Sequence, residues 1–368
     1  MTKPFPITDH DTDDRFDTIA GCLLGGAVGD ALGLPYERIK SARVNRLYGK
    51  IDGQFHHHLI LNRGMLSDDT EHALFTAMAI DMCRANDNTE KFPRYLAGFL
   101  KRWIISFPAG VGKATLIACG RLLIGVSPDH SGISSAGNGP AMRAPIIGVL
   151  AKDENQLIKF VRQSTRITHR NPKAELGALA IAAAGRFASR QENINGDEYL
   201  NYLQQLFIEA ECEDTEKLFD LLHSVISSIG NQTTEEFAKH IGLQFGVSGY
   251  IYHTVPIVLH AWLNHPNDYQ EAVLSVIRCG GDTDTTAAIT GGIVGACVGK
   301  SGIPEQWIRG LFDFPFNENF IEKLARNLAQ KENTNLYPIS LFPLILLRNI
   351  SFFLVIMAHV FRRLLPPY

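Results

Sequence analysis

Residues 16–32 repeat apolar side chains at intervals of three and four, which is the spacing of one helix face over four turns. The members of this face are Phe16, Ile19, Ala20, Leu23, Leu24, Ala27, Val28, Ala31 and Leu32. Gly25, Gly26 and Gly29 lie inside the same pattern. No strand-like segment precedes them, so they do not fit a dinucleotide-binding turn. We expect these small residues to let another helix approach closely, which makes this helix a buried one.

Helix-like periodicity continues along the chain, whereas strand-like alternation is scarce. Further helix-like segments cover residues 69–84, 91–107, 112–125, 139–151, 154–166, 172–189, 249–264, 268–279 and 289–298, with two or three more between 197 and 245. Glycine and proline mark the short connections between them. The sequence therefore predicts an all-α fold, an orthogonal multi-helix bundle.

Two acidic clusters about 210 residues apart each precede a helix-like run. Asp282 and Asp284 follow a pair of glycines, and Ser67-Asp68-Asp69-Thr70 repeats the combination of hydroxyl and carboxylate. Such oxygen ligands suit Mg²⁺ or Mn²⁺, and together the clusters have enough of them for two octahedral ions completed by water. The alternative is that each cluster only caps a helix. An EF-hand is excluded because its sixth position would be Ala287 rather than Gly.

Two glycine-rich turns and one histidine are further candidates for a binding site. Residues 108–115 form a turn before a helix, where exposed N–H groups and Lys113 can hold a phosphate, although a plain connection fits as well. Gly137-Asn138-Gly139 is a turn that presents an amide. His169 lies in a loop, where a lone histidine is usually only solvated. His56, His57 and His58 also read as a solvated loop, because no carboxylate or cysteine lies nearby in the sequence.

Five motifs in order carry a resemblance to a known family. They are Gly29-Asp30-Ala31-Leu32-Gly33, Ser67-Asp68-Asp69-Thr70, Gly137-Asn138-Gly139-Pro140-Ala141-Met142-Arg143, Thr168-His169 and Gly280-Gly281-Asp282-Thr283-Asp284-Thr285. The chain resembles the ADP-ribosylglycohydrolases, the group that includes the dinitrogenase reductase-activating glycohydrolase, over roughly residues 16–312. The resemblance implies hydrolysis of the N-glycosidic bond between ADP-ribose and a modified protein side chain, with an arginine linkage favoured, in a cleft that holds two metal ions.

The resemblance also implies a role for each matching residue. Two Mg²⁺ or Mn²⁺ ions would be held by Ser67, Asp68, Asp69, Asp282, Asp284 and Thr285. Glu37, on the loop after the first helix, would perform acid/base chemistry together with Asp69; the alternative for Glu37 is a solvated loop carboxylate. Substrate contacts would come from Gly110, Val111, Gly112, Lys113, Asn138, Gly139 and His169. Gly110 departs from the family pattern, since arginine-specific members often carry Asp there.

Composition adds limits on the class of protein. The net charge of −3 does not indicate a nucleic-acid partner, and the hydrophobic fraction of 45 % is ordinary for a globular protein. The six cysteines form no Cys-x-x-Cys pair, which argues against a zinc site or a disulfide framework and favours a reducing, cytoplasmic setting. The expected partner is an ADP-ribosylated protein.

The two ends differ from the domain predicted over residues 15–332. Residues 1–14 form an acidic tail, interpreted either as a disordered leader or as an interaction arm. Some bacterial relatives are immunity proteins, so the arm's partner would be a cognate ADP-ribosyltransferase toxin, neutralised by binding as well as by hydrolysis. Residues 333–368 are strongly apolar, but Pro338, Pro343, Arg348 and Asn349 interrupt them. We expect no transmembrane span, because a span needs about 20 apolar residues, and predict an extension packed on the domain or a partner. The alternative is peripheral contact with a membrane.

Overall fold

The computed structural model describes residues 12–39, 43, 44, 46, 51–56, 62–191, 193–330 and 342–363. Most of the predicted tail, residues 1–11, lies outside the described residues, as do His57, His58 and the two ends of the apolar C-terminal segment. Residues 12–14 form the first turn of the first helix.

The described chain folds into α-helices, and the all-α prediction is confirmed. They are α1 Thr12–Gly33, α2 Asp68–Ala85, α3 Phe92–Ile105, α4 Lys113–Leu123, α5 Pro128–Ser131, α6 Ala144–Leu150, α7 Glu154–Thr168, α8 Pro172–Ala188, α9 Gly196–Glu209, α10 Glu216–Ser228, α11 Thr234–His240, α12 Ile251–Asn264, α13 Tyr269–Cys279, α14 Thr283–Val298, α15 Glu305–Gly310, α16 Glu318–Gln330 and α17 Phe342–Arg363. Single turns of 3₁₀-helix occupy Leu34–Tyr36, Thr89–Lys91, Ala141–Arg143 and Lys300–Gly302.

Helices α1 and α14 form the centre of the fold and pack antiparallel through small residues. A β-carbon added to Gly21 would lie 2.1 Å from the carbonyl oxygen of Gly295, and one added to Gly25 would lie 2.3 Å from that of Gly291. Gly29 meets Ala287 and Gly33 meets Thr283 in the same way, and we call this line of contact between the two helices the α1–α14 seam. The glycines therefore allow the close approach that the sequence predicted. Helices α2, α6 and α16 also pack on α1, while α8, α12 and α13 pack on α14.

Several segments differ from the periodicity of the sequence. The predicted helix over 139–151 is shorter, because Pro145 lies in the first turn of α6, where its missing N–H costs no hydrogen bond. Helices α15 and α16 were not among the predicted segments. Residues 342–363 form one continuous helix instead of two apolar pieces, because Pro343 also lies in a first turn.

Among the described residues, two helices are long and apolar enough to cross a membrane, judged by length and composition alone. One covers Thr12–Tyr36, and 89 % of its most apolar window is buried in the protein. The other is Pro343–Arg362 in α17, of which only 17 % is buried. The first is the central helix of the core, whereas the second leaves most of its apolar surface exposed.

Candidate active site

The α1–α14 seam brings the end of α1 against the start of α14. Thr283 Oγ1 donates to the carbonyl oxygen of Gly33 at 2.9 Å, and the backbone N–H of Arg38 donates to that of Gly281 at 2.7 Å. This pairing holds the turn after α1 beside the glycines that precede Asp282. As a result, carboxylate oxygens of Glu37, Asp282 and Asp284 all lie within 4.8 Å of one another, the spacing of ligands around one metal ion.

Buried Asp30 positions the second acidic cluster. Its Oδ2 accepts hydrogen bonds from the backbone N–H of Ser67 at 2.9 Å and from Thr70 Oγ1 at 2.5 Å. Ser67 is the N-cap of α2, since its side chain accepts from the N–H of Asp69 at 3.1 Å. The capping alternative therefore describes Ser67 correctly. It does not describe Asp282, whose side chain makes no capping hydrogen bond at α14 within the described chain.

The two acidic clusters meet at Thr285. Its hydroxyl lies 3.2 Å from Asp69 Oδ2 and 3.5 Å from Asp282 Oδ1, although 216 positions separate Thr285 from Asp69. Both clusters line one cleft with a volume of about 590 Å³. The sequence motifs, remote along the chain, therefore belong to a single site.

The electrostatics of this cleft disfavour so many negative charges without a cation. Burial is the main cause that raises the pKa of Asp68, Asp69 and Asp284 well above the ordinary value, and neighbouring carboxylates raise it further. The pKa of Asp282 is raised as well, chiefly by burial, although the hydrogen bond from Asn138 opposes that shift. A bound divalent cation would remove this penalty.

The oxygen atoms available in the cleft fit such a cation. In the cleft, Asp69 Oδ1 and Asp284 Oδ1 are buried and have no hydrogen-bond partner among the described residues. The same holds for Asp30 Oδ1, next to the Ser67 backbone. Buried polar atoms are almost always paired, so unpaired carboxylate oxygens indicate a missing ligand. Carboxylate and hydroxyl oxygens at this spacing match the hard cations Mg²⁺ and Mn²⁺.

Asn138 and His169 lie together on another wall of the cleft. Asn138 Nδ2 donates to Asp282 Oδ2 at 2.6 Å and to Thr254 Oγ1 at 3.0 Å, so the amide fixes the orientation of a metal-site carboxylate. The His169 ring packs against Gly137 and Gly139, where an added β-carbon would lie 3.0 Å from it. Burial, and secondarily Arg143, lowers the pKa of His169 to about 3. The imidazole is therefore neutral at physiological pH.

Arg143 holds this wall in place, a role that the sequence reading missed. The side chain is fully buried and donates to the carbonyl oxygen of Gly139 at 2.9 Å, to Ser164 Oγ at 2.7 Å and to Thr168 Oγ1 at 2.9 Å. Thr168 Oγ1 in turn lies 2.9 Å from His169 Nδ1. The guanidinium thus ties the glycine turn to α7. Its place in the Gly-x-x-Met-Arg motif was the available signal.

The loop before α4 forms the opposite part of the cleft. Gly110, Gly112 and Lys113 line it, as do the first residues of α4. Gly110 has a φ of +80°, a left-handed conformation that favours glycine, and a β-carbon there would lie 4.0 Å from Asp68 Oδ1. Val111 differs from the prediction in its position, because its side chain lines a neighbouring apolar groove instead of the cleft.

Phe352 and Ile356 of α17 also line the cleft, and sequence reasoning did not place them there. Phe352 is buried against Leu34 and Met65, beside the two acidic clusters. A contact between residue 352 and the end of α1 leaves no local pattern in the sequence, so no signal for it was available.

A comparison with family models supplies the class of protein. Residues 11–336 match the model described as ADP-ribosylglycohydrolase. The chain belongs to the ADP-ribosylglycohydrolase family. The match contains both acidic clusters, the glycine turns and His169, and it ends before α17 begins.

Individual relatives agree with this assignment. An uncharacterised protein of Archaeoglobus fulgidus is 30 % identical over 84 % of this chain and 95 % of its own length. The ADP-ribosyl-[dinitrogen reductase] glycohydrolase of Rhodospirillum rubrum is 26 % identical over 80 % of this chain and 90 % of its own length. The human ADP-ribosylhydrolase ARH3 is 25 % identical over 78 % of this chain and 87 % of its own length.

A solved structure gives the same result for the fold. The structure, titled an ADP-ribosylglycohydrolase-related protein complex, superimposes with a TM-score of 0.63 at 25 % identity and covers 87 % of this chain and all of its own. This ADP-ribosylglycohydrolase is therefore a glycohydrolase with ADP-ribosyl hydrolase activity, and its cleft contains an acidic cluster suited to a metal ion.

Proposed function

We propose that the protein removes ADP-ribose from arginine side chains of modified proteins and so reverses mono-ADP-ribosylation. The observation that carries this proposal is the convergence of Glu37, Asp282 and Asp284 with the Ser67–Asp69 cluster in one cleft. A site of this kind can hold two divalent cations next to a sugar, with room for the rest of an ADP-ribose.

Two Mg²⁺ or Mn²⁺ ions would be held by Ser67, Asp68, Asp69, Asp282, Asp284 and Thr285, with Glu37 at their edge. When bound, such ions supply Lewis-acid activation of a water molecule and of the ribose hydroxyls. Thr285 is suited to this set because its oxygen lies between Asp69 and Asp282. Asn138 keeps Asp282 from turning away by donating to its outer oxygen.

Glu37 is the residue we assign to proton transfer, with Asp69 beside it. Its carboxylate is half-buried and lies on the turn after α1, so it faces both the acidic cluster and the open cleft. Arg38 Nε lies 3.0 Å from Glu37 Oε1 and is itself exposed. Asp69 uses Oδ2 to accept from Ser67 and Thr285, which leaves Oδ1 for the reaction centre.

The remaining cleft residues would place the diphosphate and the ribose. The first N–H groups of α4 and the Lys113 ammonium are donors suited to phosphate oxygens. Gly110 and Gly112 let the backbone approach such a group closely, and Gly139 does the same beside Asn138. Neutral His169 would contact the sugar as a hydrogen-bonding group rather than as a charge.

The choice of linkage rests on the acidic wall around Asp68. A guanidinium leaving group would meet the Glu37 and Asp68 carboxylates. A β-carbon added to Gly110 would lie 4.0 Å from Asp68 Oδ1. Because Gly110 stands where arginine-specific members often carry Asp, the linkage is the part of the proposal that the substrate comparison tests first.

The experiment is a comparison of three substrates, a protein or nucleotide carrying arginine-, serine- or thymidine-linked ADP-ribose, incubated with the purified protein with and without Mg²⁺ or Mn²⁺. The proposal predicts metal-dependent release of ADP-ribose from the arginine linkage. Release from another linkage alone would overturn the arginine preference, and release without any metal would overturn the metal dependence. No release from any of the three would overturn the proposed function.

We also propose a cytoplasmic location, which the free, mostly buried cysteines support. A cognate toxin as partner stays a prediction about the tail over residues 1–14, of which the structure describes only residues 12–14, in the first turn of α1. Deletion of residues 2–11 leaves α1 whole, so it should weaken binding to such a toxin and leave hydrolysis intact. An unchanged affinity for the toxin would contradict the hypothesis that the tail is an interaction arm.

A further inference from the structure

The outward faces of α4 and α17 form an apolar surface next to the cleft. Its exposed members are Phe107 and Leu116 on the α4 side and Leu347, Ile350, Phe353 and Leu354 on α17. A groove of about 600 Å³ between Leu116 and Phe353 joins the two sides. We call this the α4–α17 surface. Single exposed apolar residues are ordinary, but exposed apolar side chains gathered around one groove mark an interaction surface.

Helix α17 is apolar on its outer face although its inner face is already docked. Ile345, Asn349 and Phe352 are buried against the domain. On a surface helix, the face away from the core is normally polar. The outer face of α17 instead presents leucine, isoleucine and phenylalanine to the solvent, so the domain alone does not account for its composition.

The helices that form this surface carry basic and no acidic residues. Residues 92–123 and 342–363 contain eight Lys or Arg and no Asp or Glu, in a chain whose net charge is −3. One of the eight, Arg348, is buried and paired with Glu71 and Asp313 and adds no charge to the surface. Exposed Lys101 lies about one helical turn before Ile104, which lines the groove, and the next residue, Arg102, is exposed as well. Arg362 is exposed at the end of α17. An apolar surface with a basic border complements an anionic lipid bilayer, in which acyl chains lie beneath negative headgroups.

We propose that the α4–α17 surface docks on an anionic membrane surface, with α17 lying in the plane of the interface. A second copy of this chain suits the surface less well, because a two-fold axis would place one basic border against the other. The proposal goes beyond hydrolysis itself: it places the enzyme on modified proteins at a membrane.

The contacts of α17 keep it on the domain rather than across the bilayer. Arg348 lies 2.5 Å from Asp313 and 3.4 Å from Glu71, and both carboxylates are buried. Asn349 Nδ2 donates to the carbonyl oxygen of Ser106 at 2.8 Å. Withdrawing the helix would leave two buried carboxylates unpaired and put Arg348 into lipid, and both are costly.

Docking in this way would bring the cleft to the membrane. Val111 lines the groove of the α4–α17 surface, whereas its neighbours Gly110 and Gly112 line the cleft. On α17, Phe353 faces the groove and Phe352 faces the cleft. The same loop and helix therefore border both the site and the proposed lipid contact.

Flotation of the full-length protein with lipid vesicles tests the proposal. The protein should float with vesicles of mixed phosphatidylglycerol and phosphatidylcholine and stay behind with pure phosphatidylcholine, and added salt should weaken the binding. Leu347→Glu with Phe353→Glu should weaken binding at least roughly tenfold. Lys101→Glu with Arg102→Glu should weaken it by about fivefold per charge removed.

Two matched controls separate the surface from a general effect of charge or hydrophobicity. Ile208→Glu changes an exposed isoleucine on α9, and Lys239→Glu changes an exposed lysine on α11; neither should affect flotation. Melting temperatures show whether each variant is folded. Three results would overturn the proposal: no preference for phosphatidylglycerol, a membrane fraction that resists alkaline carbonate, or a stable dimer in solution that Leu347→Glu with Phe353→Glu dissociates.

Discussion

At the scale of single residues, His169 shows how burial sets the chemistry of the cleft. A loop histidine is usually solvated and titrates near pH 6.5, whereas here the ring lies between two glycines and beside a buried guanidinium. Its neutral form can accept or donate a hydrogen bond without adding charge to a site that already contains several carboxylates. The sequence identified the residue, whereas its burial, and secondarily the neighbouring Arg143, determines its protonation.

His169 should make folding stability depend on pH in the acidic range. The unfolded chain binds a proton near pH 6.5, while the folded protein does so only near pH 3. The contribution of this group to stability is therefore complete above pH 6.5 and is lost as the pH falls toward 3, by about 1.4 kcal/mol per pH unit. Between pH values of about 6.5 and 5, His169→Gln should reduce the loss of unfolding free energy by about 2 kcal/mol. Urea unfolding at both pH values measures the unfolding free energy of each protein. If the variant and the wild type lost the same unfolding free energy between these pH values, the assignment of the effect to His169 would be wrong.

At the scale of helices, the α1–α14 seam positions the acidic cluster of Glu37, Asp282 and Asp284. The seam depends on backbones that approach without intervening side chains, and its end places Glu37 beside Asp284. Tyr269 adds to it from α13 by donating from its hydroxyl to the carbonyl oxygen of Gly25 at 2.6 Å. A change in the seam should thus affect both stability and the site.

Gly25→Ala should destabilise the protein by about 1–3 kcal/mol or more, because the new methyl group would lie 2.3 Å from the Gly291 carbonyl oxygen. Gly98→Ala in α3 is the matched control, since no atom lies within 4 Å of its β-carbon position. The control should be neutral or more stable by up to about 1 kcal/mol. Thermal unfolding of the two variants measures the difference. If Gly25→Ala had the melting temperature of the wild type, the close approach of α1 and α14 would not be needed for stability.

Helix α17 should depend on Arg348 for its position. Arg348→Met would leave Glu71 and Asp313 buried without their cation, at a cost of about 3–5 kcal/mol. Arg309→Met removes an exposed ion pair with Glu305 and should cost at most about 0.5 kcal/mol. Denaturant unfolding of both variants provides the comparison. If the two variants lost the same stability, the buried network would not hold the helix.

At the scale of the whole molecule, the sequence predicted what depends on local pattern. Apolar spacing identified α1 and most other helices, and the two Asp motifs identified the acidic residues that line the cleft. The sequence could not show that Asp30 anchors Ser67 or that Phe352 reaches the cleft, because those contacts join remote positions through the packing of the folded chain. Val111 was assigned with its loop, yet in the structure its side chain faces the groove.

Calorimetric titration with Mn²⁺ tests most directly whether both acidic clusters form one metal centre. The wild type should bind metal, and Asp68→Asn and Asp282→Asn should each lower affinity at least roughly tenfold, since each variant removes a ligand from a shared set. The double variant should be little worse than either single one, because residues that act as a unit are not additive. Exposed Asp129→Asn, outside the cleft, should bind like the wild type. Wild-type stoichiometry and affinity in either Asp68→Asn or Asp282→Asn would contradict a shared centre.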